Sequence, residues 1–390
     1  MTTFIKFKDN FITKVRAYPN LVNYTYLFSL GVFIFASLIK ETTMLNEIFS
    51  QRMVFWMEAI PAFIVYLKIV FFDDNDIKDI IIFSVFECYL YLSSYIAASV
   101  VIFYLGFFVY GAKNIKIENI LKVFIIVNIG GTLLTMLLAG LNVIRNVRVI
   151  RSVYSPIVRY SIGMVYPTDF AARGLSVLLA YAAFKKFRLN LPEYISFGAV
   201  IIWFYIITRT RVDFALSLLL IASLLLYPYL KKIFTKITPK MITILMYLYI
   251  AFIMGLGFLY TWDPHNKILE LMNHILSGRL TNNRLLILNY HVKFAGQYIY
   301  QPGGGSGFYI DSVFFRTLWM YGIPMFILFL GLIFILNKKF MHTTRFLPLE
   351  ICFIIFMISG GLDQHFWDCS FNFIPLMLFA NCQTYIKNNS

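Results

Sequence analysis

Arginine is unevenly placed along this chain. The segment RNVRVIRSVYSPIVR carries Arg145, Arg148, Arg151 and Arg159, and others follow at Arg173, Arg209, Arg211, Arg279, Arg284 and Arg316. A guanidinium offers a planar fork that matches two oxygens of a phosphate or pyrophosphate, whereas an ammonium is a point charge. The chemistry such a set would serve is capture of an anionic leaving group. The same stretches hold groups able to take a proton from a hydroxyl: Asp169, His291, Asp311, Asp363 and His365. Arg145, Arg148 and Arg151 recur at i, i+3 and i+6, which predicts a helix carrying all three on one face, bent or broken at Pro156. An amphipathic helix lying on a membrane has the same pattern.

The elements that must position these residues are apolar. Of 390 residues, 60% are hydrophobic and 14% charged, against roughly 25% charged in a soluble domain. Apolar runs such as Tyr24–Ile39, Val54–Phe72, Met241–Tyr260 and Pro324–Leu336 approach the roughly 20 residues that span about 30 Å of hydrocarbon. Polar interruptions divide the sequence into expected spans near 24–40, 54–72, 80–95, 97–111, 120–140, 168–184, 194–208, 212–230, 241–260, 311–336, 346–361 and 368–386. Residues 80–110 read either as one long helix or as a pair split around Ser93, Ser94 and Tyr95. Parity favours the pair. With Lys6, Lys8, Lys14 and Arg16 inside, two spans there also put Lys185–Lys186, Lys231–Lys232 and Lys338–Lys339 inside, as the positive-inside rule requires. The basic leader has no small-residue cleavage site after the first run and reads as a signal anchor. The expected fold is therefore one all-α integral membrane domain over 1–390, a polytopic bundle of about twelve transmembrane helices. Both termini are cytoplasmic, and two large external loops cover 141–167 and 261–310.

On this threading the two basic residue types separate. Of 20 lysines only Lys40, Lys267 and Lys293 are external, and of 14 arginines only Arg16, Arg188 and Arg345 are internal. Topology needs only positive charge, so an external arginine excess points to an anionic ligand, with phosphate or pyrophosphate at the membrane surface the natural candidate. The alternative is that these arginines bind lipid headgroups or make structural ion pairs. The net charge of +15 is scattered between spans, which fits topology better than nucleic-acid binding. Cys88, Cys352, Cys369 and Cys382 have no paired short spacing and read as packing residues. There is no Walker loop, dinucleotide fingerprint or metal-ligand cluster, so neither cofactor nor metal is expected.

Three stretches, taken in order, resemble the Wzy-type bacterial polysaccharide polymerases, relatives of the O-antigen ligases. RYSIGMVYPTDFAA (Arg159–Ala172) is similar to the family's basic residue, glycine and hydrophobic-Pro start of a span, with Tyr166-Pro167-Thr168 where the family often has His-Pro-Asn. TRTRVDFALSLL (Thr208–Leu219) is similar to its small-polar-Arg element opening a helix. SGRLTNNRLLILNYHVKFAGQ (Ser277–Gln297) followed by IDSVFFRTLWMYGI (Ile310–Ile323) reproduces the order Gly-Arg, Phe-Gly-Gln-like turn, Asp before an aromatic, and Tyr-Gly; the turn reads Phe294-Ala295-Gly296-Gln297, one residue longer. GLDQHFWDCSFNF (Gly361–Phe373) matches the late acidic-and-Asn element weakly.

The resemblance implies a GT-C-like fold and a metal-independent, inverting glycosyltransferase of the bacterial plasma membrane, working at the outer face in O-antigen, capsule or exopolysaccharide synthesis. Its substrate would be an oligosaccharide on undecaprenyl pyrophosphate, transferred whole onto an incoming lipid-linked repeat unit. Membrane lipids, a chain-length regulator and a flippase would be its partners. It also implies roles. Arg159, Arg211 and Arg279 lie in the matching stretches and become pyrophosphate ligands, with Arg284 a fourth; otherwise Arg211 is a snorkelling helix end and Arg279 a loop cap. Asp311 leads the catalytic candidates by its motif position, followed by His365, Asp169 and His291. Asp169 and Asp311 would otherwise serve as helix N-caps, His291 would sit on the solvated face of an amphipathic helix, and Asp363 and His365 would form an ion pair. Pro302–Gly307 reads as a flexible hinge, and Tyr298, Tyr300 and Tyr309 as surfaces for sugar rings. The rival readings are a transporter or flippase for the same lipid-linked oligosaccharide and a sibling ligase. Glu58 and Lys68, inside the second span, would mark the transport path, because unpaired charges there are expensive.

Overall fold

The structure is a computed structural model that describes residues 19–152, 155–301, 308–383 and 385. The basic leader (Lys6, Lys8, Lys14, Arg16) and the glycine-rich segment 302–307 lie outside the described residues. Among the described residues, five helices of more than one turn precede a hairpin: α1 (Pro19–Lys40), α2 (Gln51–Phe71), α3 (Ile77–Ile96), α4 (Val101–Gly111) and α5 (Ile117–Gly140). After strands β1 (Arg148–Ser152) and β2 (Ser155–Tyr160) come α6 (Pro167–Phe184), α7 (Leu191–Thr208), α8 (Arg211–Leu225), α9 (Tyr227–Phe234) and α10 (Pro239–Trp262). The remainder is α11 (Lys267–Ile275), α12 (Arg279–Asn289), α13 (Val313–Met320), α14 (Ile323–Phe340) and α15 (Leu347–Gly360).

Seven of these helices, α1, α2, α3, α5, α7, α10 and α14, are long and apolar enough to cross a bilayer. An eighth is counted if α8 and α9, bent by 79° at their junction, form one span. Their outer faces carry large apolar side chains that water would not tolerate in such number, among them Ile202, Ile206, Leu245, Leu248 and Ile327. The chain is a multi-pass, predominantly helical membrane protein. At 1.5 Å per residue, α4 with 11 residues and α15 with 14 are shorter than the roughly 20 residues a full crossing needs.

Several expected elements are drawn differently. The 80–110 stretch is a pair of helices, broken at residues 97–100, where Ala98 takes φ +51°, and not at Ser93 to Tyr95. The run 311–336 divides at Tyr321–Gly322, and 212–230 divides before Tyr227. Residues 368–382 contain no α-helix: they hold a 3₁₀ turn, Ile374–Leu378, and two isolated bridges at Ala380 and Asn381, and helix resumes only at Gln383. Asp368 Oδ1 accepts from the Ser370 amide at 2.7 Å and Asn372 Oδ1 from the Ile374 amide at 3.0 Å. These side-chain turns compete with helix, and Pro375 withholds a donor.

The arginine segment after α5 is a hairpin and not a helix. β1 and β2 pair antiparallel, Arg148 opposite Tyr160, Val149 opposite Arg159 and Ile150 opposite Val158. Val147, Val149, Ile150, Ile157 and Val158 are β-branched and favour the pleated backbone. Three-residue spacing, which stacks side chains on a helix, alternates them across a strand.

The described helices group into two compact units. In the first (1–87, 104–224 and 368–390), α1 packs on α2 and α5, and α6 packs on α5 and α7. Its two ends differ in charge. At one end Lys68 pairs with Asp73, Lys113 and Lys116 bridge to Ala380 and Asn381, and Lys186 donates to the Tyr385 carbonyl. At the other end the Thr43 hydroxyl donates to the Arg145 carbonyl, Arg145 pairs with Glu47, and Arg159 reaches the end of α7. Residues 368–382 run between these ends as irregular, largely buried chain. Non-helical backbone is tolerated at membrane depth only when protein wraps it in this way. In the second unit (88–103 and 225–367), α10 packs on α12 and α14, and α14 on α13 and α15.

Candidate functional site

The second unit gathers four of the five acid–base candidates singled out in the sequence, His291, Asp311, Asp363 and His365. Asn266 caps α11, its side-chain oxygen accepting from the Ile268 and Leu269 amides at 3.0 and 3.4 Å. The chain then turns through Ser277 (φ +57°) and Gly278 (φ +87°) into α12. Left-handed geometry at consecutive residues is why a glycine stands directly before Arg279. Arg279 is thereby held at the first position of α12. Its Nε donates to the Leu362 carbonyl at 2.7 Å and its Nη1 to the Leu276 carbonyl at 3.1 Å.

Asp311 faces this arginine, with Oδ2 3.8 Å from Arg279 Nε. It lies one residue ahead of the N-cap of α13 and is not the cap; the Asn282 side chain hydrogen-bonds its carboxyl instead. About 31% of the Asp311 side chain stays accessible. The surrounding protein nevertheless pushes its carboxyl above the usual aspartate value through desolvation. Arg279 and Arg316 oppose that rise and Asp363 adds to it. Asp363 Oδ1 lies 3.5 Å from His365 Nε2 in the loop after α15, and it also accepts from the Gln364 amide at 2.6 Å. Arg279, Asp311, Arg316 and Asp363 therefore form one electrostatic cluster, with His365 at its edge.

Two guanidiniums of this unit are incompletely used. Arg284 Nε, on α12, and Arg316 Nη1, on α13, are buried and meet no acceptor among the described residues. Buried donors are nearly always satisfied, and an orphan costs about 1–3 kcal/mol. The Arg316 guanidinium rests 5.6 Å over the Tyr309 ring. Sequence alone gives Arg316 no role beyond its place in the arginine set, and Asn282 none; both stand in the quoted stretches, Arg316 five residues after Asp311 and Asn282 three after Arg279.

A glycine clasp fixes the two halves of the third matching stretch. Gln297 N donates to the Met320 carbonyl and Ile323 N to the Phe294 carbonyl, both at 3.0 Å. Gly296 and Gly322 have φ +86° and +90°, and a Cβ on either would meet backbone oxygen at 2.2 or 2.3 Å. His291 is not on a helix. α12 ends at Asn289, and the exposed His291 follows in irregular chain, its carbonyl accepting from Gln297 Nε2 at 2.6 Å. Tyr298 and Tyr300 are exposed.

The remaining expected residues lie in the first unit. Arg159 Nε donates to the Thr208 carbonyl at 2.7 Å, a cation at the C-terminal end of α7. Arg211 is exposed at the first position of α8. Asp169 is buried in the first turn of α6, where Tyr166 holds the N-cap position. The intramembrane charges are paired: Lys40 Nζ meets Glu58 Oε2 at 2.5 Å, and Lys68 Nζ meets Asp73 Oδ1 at 2.7 Å. Arg173, fully buried on α6, donates through Nη1 to Asn128 Oδ1 at 2.6 Å and to the Ser370 carbonyl at 3.2 Å, and stacks 4.0 Å from the Phe371 ring centre. Its sequence signal was an arginine amid alanines early in an apolar run.

The four cysteines are free thiols, with Cys352 and Cys369 buried in the packing. Among the described residues no three His, Cys, Asp or Glu side chains gather as metal ligands would. No protein-family model, curated protein or solved structure matches this chain.

Proposed function

We propose that this chain is a polysaccharide polymerase that transfers a glycan from a lipid pyrophosphate onto a hydroxyl of an incoming lipid-linked repeat unit. The observation that carries the reading is the cluster of Arg279, Asp311, Arg316 and Asp363, together with the unused donors of Arg284 and Arg316 in the same unit. A carboxylate raised toward neutrality is a better general base than an ordinary aspartate. In the proposed step the Asp311 carboxylate takes the acceptor hydroxyl proton, and that oxygen attacks the anomeric carbon from the face opposite the leaving group. The bond from carbon to pyrophosphate oxygen breaks with its electron pair, so configuration inverts. Charge developing on the pyrophosphate is met by guanidiniums in a partly dry site. Arg279 spends Nε and one Nη1 hydrogen on backbone carbonyls, which leaves Nη2 and the second Nη1 hydrogen for an oxyanion and keeps the guanidinium fixed. The resemblance to the Wzy-type polymerases supports the same assignment.

In this reading the arginine-bearing end faces away from the cytoplasm and both termini lie on the lysine side of the bacterial plasma membrane. About twelve crossings result if α4, α6, α15 and the bent α8–α9 pair each cross, with residues 368–382 making the last crossing as irregular chain. The transport reading loses its support, because Glu58 and Lys68 are both ion-paired within the packing.

The test is to incubate the purified full chain with lipid-pyrophosphate-linked repeat units and resolve the products by size. A ladder of longer glycans is expected from the wild type and none from Asp311→Asn. Transfer of a single block onto a non-repeat acceptor would assign a ligase instead. Translocation of the lipid in liposomes without a ladder would overturn the reading.

A further inference from the structure

A cavity of about 440 Å³ lies within the first unit, between α5, α6 and α7. That volume falls within the range of small-molecule pockets. Met136, Val177, Leu178 and Phe197 line it, and its rim includes Ile129, Leu133, Val200 and Trp203, all exposed on the outer faces of α5 and α7. Both of those helices qualify as membrane spans, so the medium at the opening is hydrocarbon. An apolar void of this size stays dry, and its walls forgo dispersion contacts until an apolar group fills it. Gly174 shapes the wall: a Cβ there would come within 2.6 Å of the Phe204 ring, which uses that space.

The two ends of the cavity differ. At one end stands Arg173, buried and already bonded to Asn128 and Ser370, with Asp169, Glu41 and Asp368 near enough to act on its charge. At the other end Tyr181 donates to Glu193 Oε1 at 2.6 Å, and Lys185 Nζ lies 2.8 Å from the same oxygen. Lys185 follows the last residue of α6, and Lys186 and Arg188 come directly after it. Tyr181 and Arg173 stand eight residues apart on α6, about 12 Å at 1.5 Å per residue. The slot therefore runs from a helix end of net positive charge, where Lys185, Lys186 and Arg188 stand against Glu193 alone, toward Arg173, whose Nη1 is bonded, whose Nε is buried without an acceptor among the described residues, and on which three carboxylates act.

We infer that this cavity holds one acyl chain of an anionic phospholipid from the leaflet at the lysine-bearing end. Its phosphate would lie near Lys185, Lys186 and Arg188, and its chain would run along α6 toward Arg173. Basic residues at a membrane boundary attract anionic headgroups, and the length and lining of the slot suit a single hydrocarbon chain. The inference stands apart from the reaction proposed above, since every residue it uses belongs to the first unit and none to the Asp311 cluster. The chain would join α5 to α7 over α6 in the way a side chain fills a core.

The full-length protein in nanodiscs doped with phosphatidylglycerol bearing a diazirine on one acyl chain provides the test. Photolysis is expected to label peptides containing residues 129–136, 174–178 and 197–204. Val177→Trp, which puts an indole into the slot, should cut that labelling by about tenfold and make thermal stability insensitive to added phosphatidylglycerol. Leu245→Trp, on the lipid-facing surface of α10, should change neither. Met136→Trp repeats the experiment if the Val177 variant does not fold. Labelling spread evenly over lipid-facing helices, or undiminished in both filling variants, would overturn the inference. So would selective labelling of the slot by a diazirine polyprenyl phosphate but not by phosphatidylglycerol, which would assign the cavity to an isoprenoid.

Discussion

Replacing Lys68 by Met separates a structural ion pair from a transport path. Lys68 Nζ sits 2.7 and 2.8 Å from the two Asp73 oxygens, 2.9 Å from the Gly111 carbonyl and 3.2 Å from that of Lys113. Both side chains are close to fully buried, at 5% and 3% exposure. Methionine keeps most of the stem volume, so the change chiefly strips the cation and leaves Asp73 without its partner. Removing one member of a buried pair costs about 3–5 kcal/mol, which for a chain of this size is a fall in Tm of roughly 10 °C. Lys68→Met/Asp73→Leu should recover most of it, because apolar replacement of a whole buried pair is close to neutral. The pH dependence has a definite sign. Burial pushes the Asp73 carboxyl up while Lys68 and Lys113 pull it down, so without Lys68 its folded value stays above its unfolded one. The penalty is then absent below the unfolded value and grows as pH rises toward the folded one; the single variant should gain on the wild type as pH falls. The assay is thermal unfolding in detergent from pH 4 to 8, with glycan ladder yield per folded molecule beside it. A single variant with wild-type Tm would refute the reasoning. So would a double variant that folds well yet loses all activity.

Further outcomes follow from the same geometry. Arg279→Lys keeps the charge but forfeits the fork that grips Leu362 and Leu276, so ladder formation should fall roughly ten- to hundred-fold, as loss of a charge-assisted hydrogen bond predicts; full activity would remove the fork from the mechanism. Because burial and Asp363 raise the Asp311 carboxyl, the acid limb of kcat/KM should lie above the ordinary aspartate range. Asp363→Asn should move that limb to lower pH, since it removes a raising charge, and an unmoved limb would exclude Asp311 as the base. Gly322→Ala places a Cβ 2.3 Å from the Phe294 carbonyl at φ +90° and should destabilise by about 3 kcal/mol or more; a Tm within 2 °C of wild type, an allowance of about 1 kcal/mol, would disprove the clasp.

Much of this architecture is legible in the sequence because lipid imposes a simple rule. Apolar runs of sufficient length became α1, α2, α5, α7 and α10 with ends displaced by a few residues, and Asn190 with Glu193 marks the start of α7 as a capping box. Where competing signals share a stretch, reading fails. The arginine spacing in 145–151 satisfies a helical period, but the β-branched residues between them decide the backbone. Residues 368–386 are apolar enough to be read as a span, yet Asp368, Asn372 and Pro375 divert the chain into turns. At the site, Asp311 and Arg279 were legible from their stretches, and their pairing at 3.8 Å joins residues 32 positions apart. Arg316 and Asn282 escaped because nothing local distinguishes a positioned side chain from a solvated one. The partners of Glu58 and Lys68 escaped for a different reason: hydropathy marks a buried charge as costly without saying what neutralises it.

The strap formed by residues 368–383 and Tyr385 also sets an order of manufacture. Lys113, Lys116, Arg173 and Lys186 all make contacts with it, so the first unit holds those places open while everything after Leu224 is synthesised. At 5–20 residues per second that interval is roughly 10–30 s. During it the Arg173 guanidinium lacks its Ser370 acceptors, and the backbone groups at Lys113 and Lys116 have no strand beside them. A chain cut short before Asp368 would keep every long apolar helix of the described residues and still lack the acceptors of Arg173 and Lys186 and the bridges to Lys113 and Lys116.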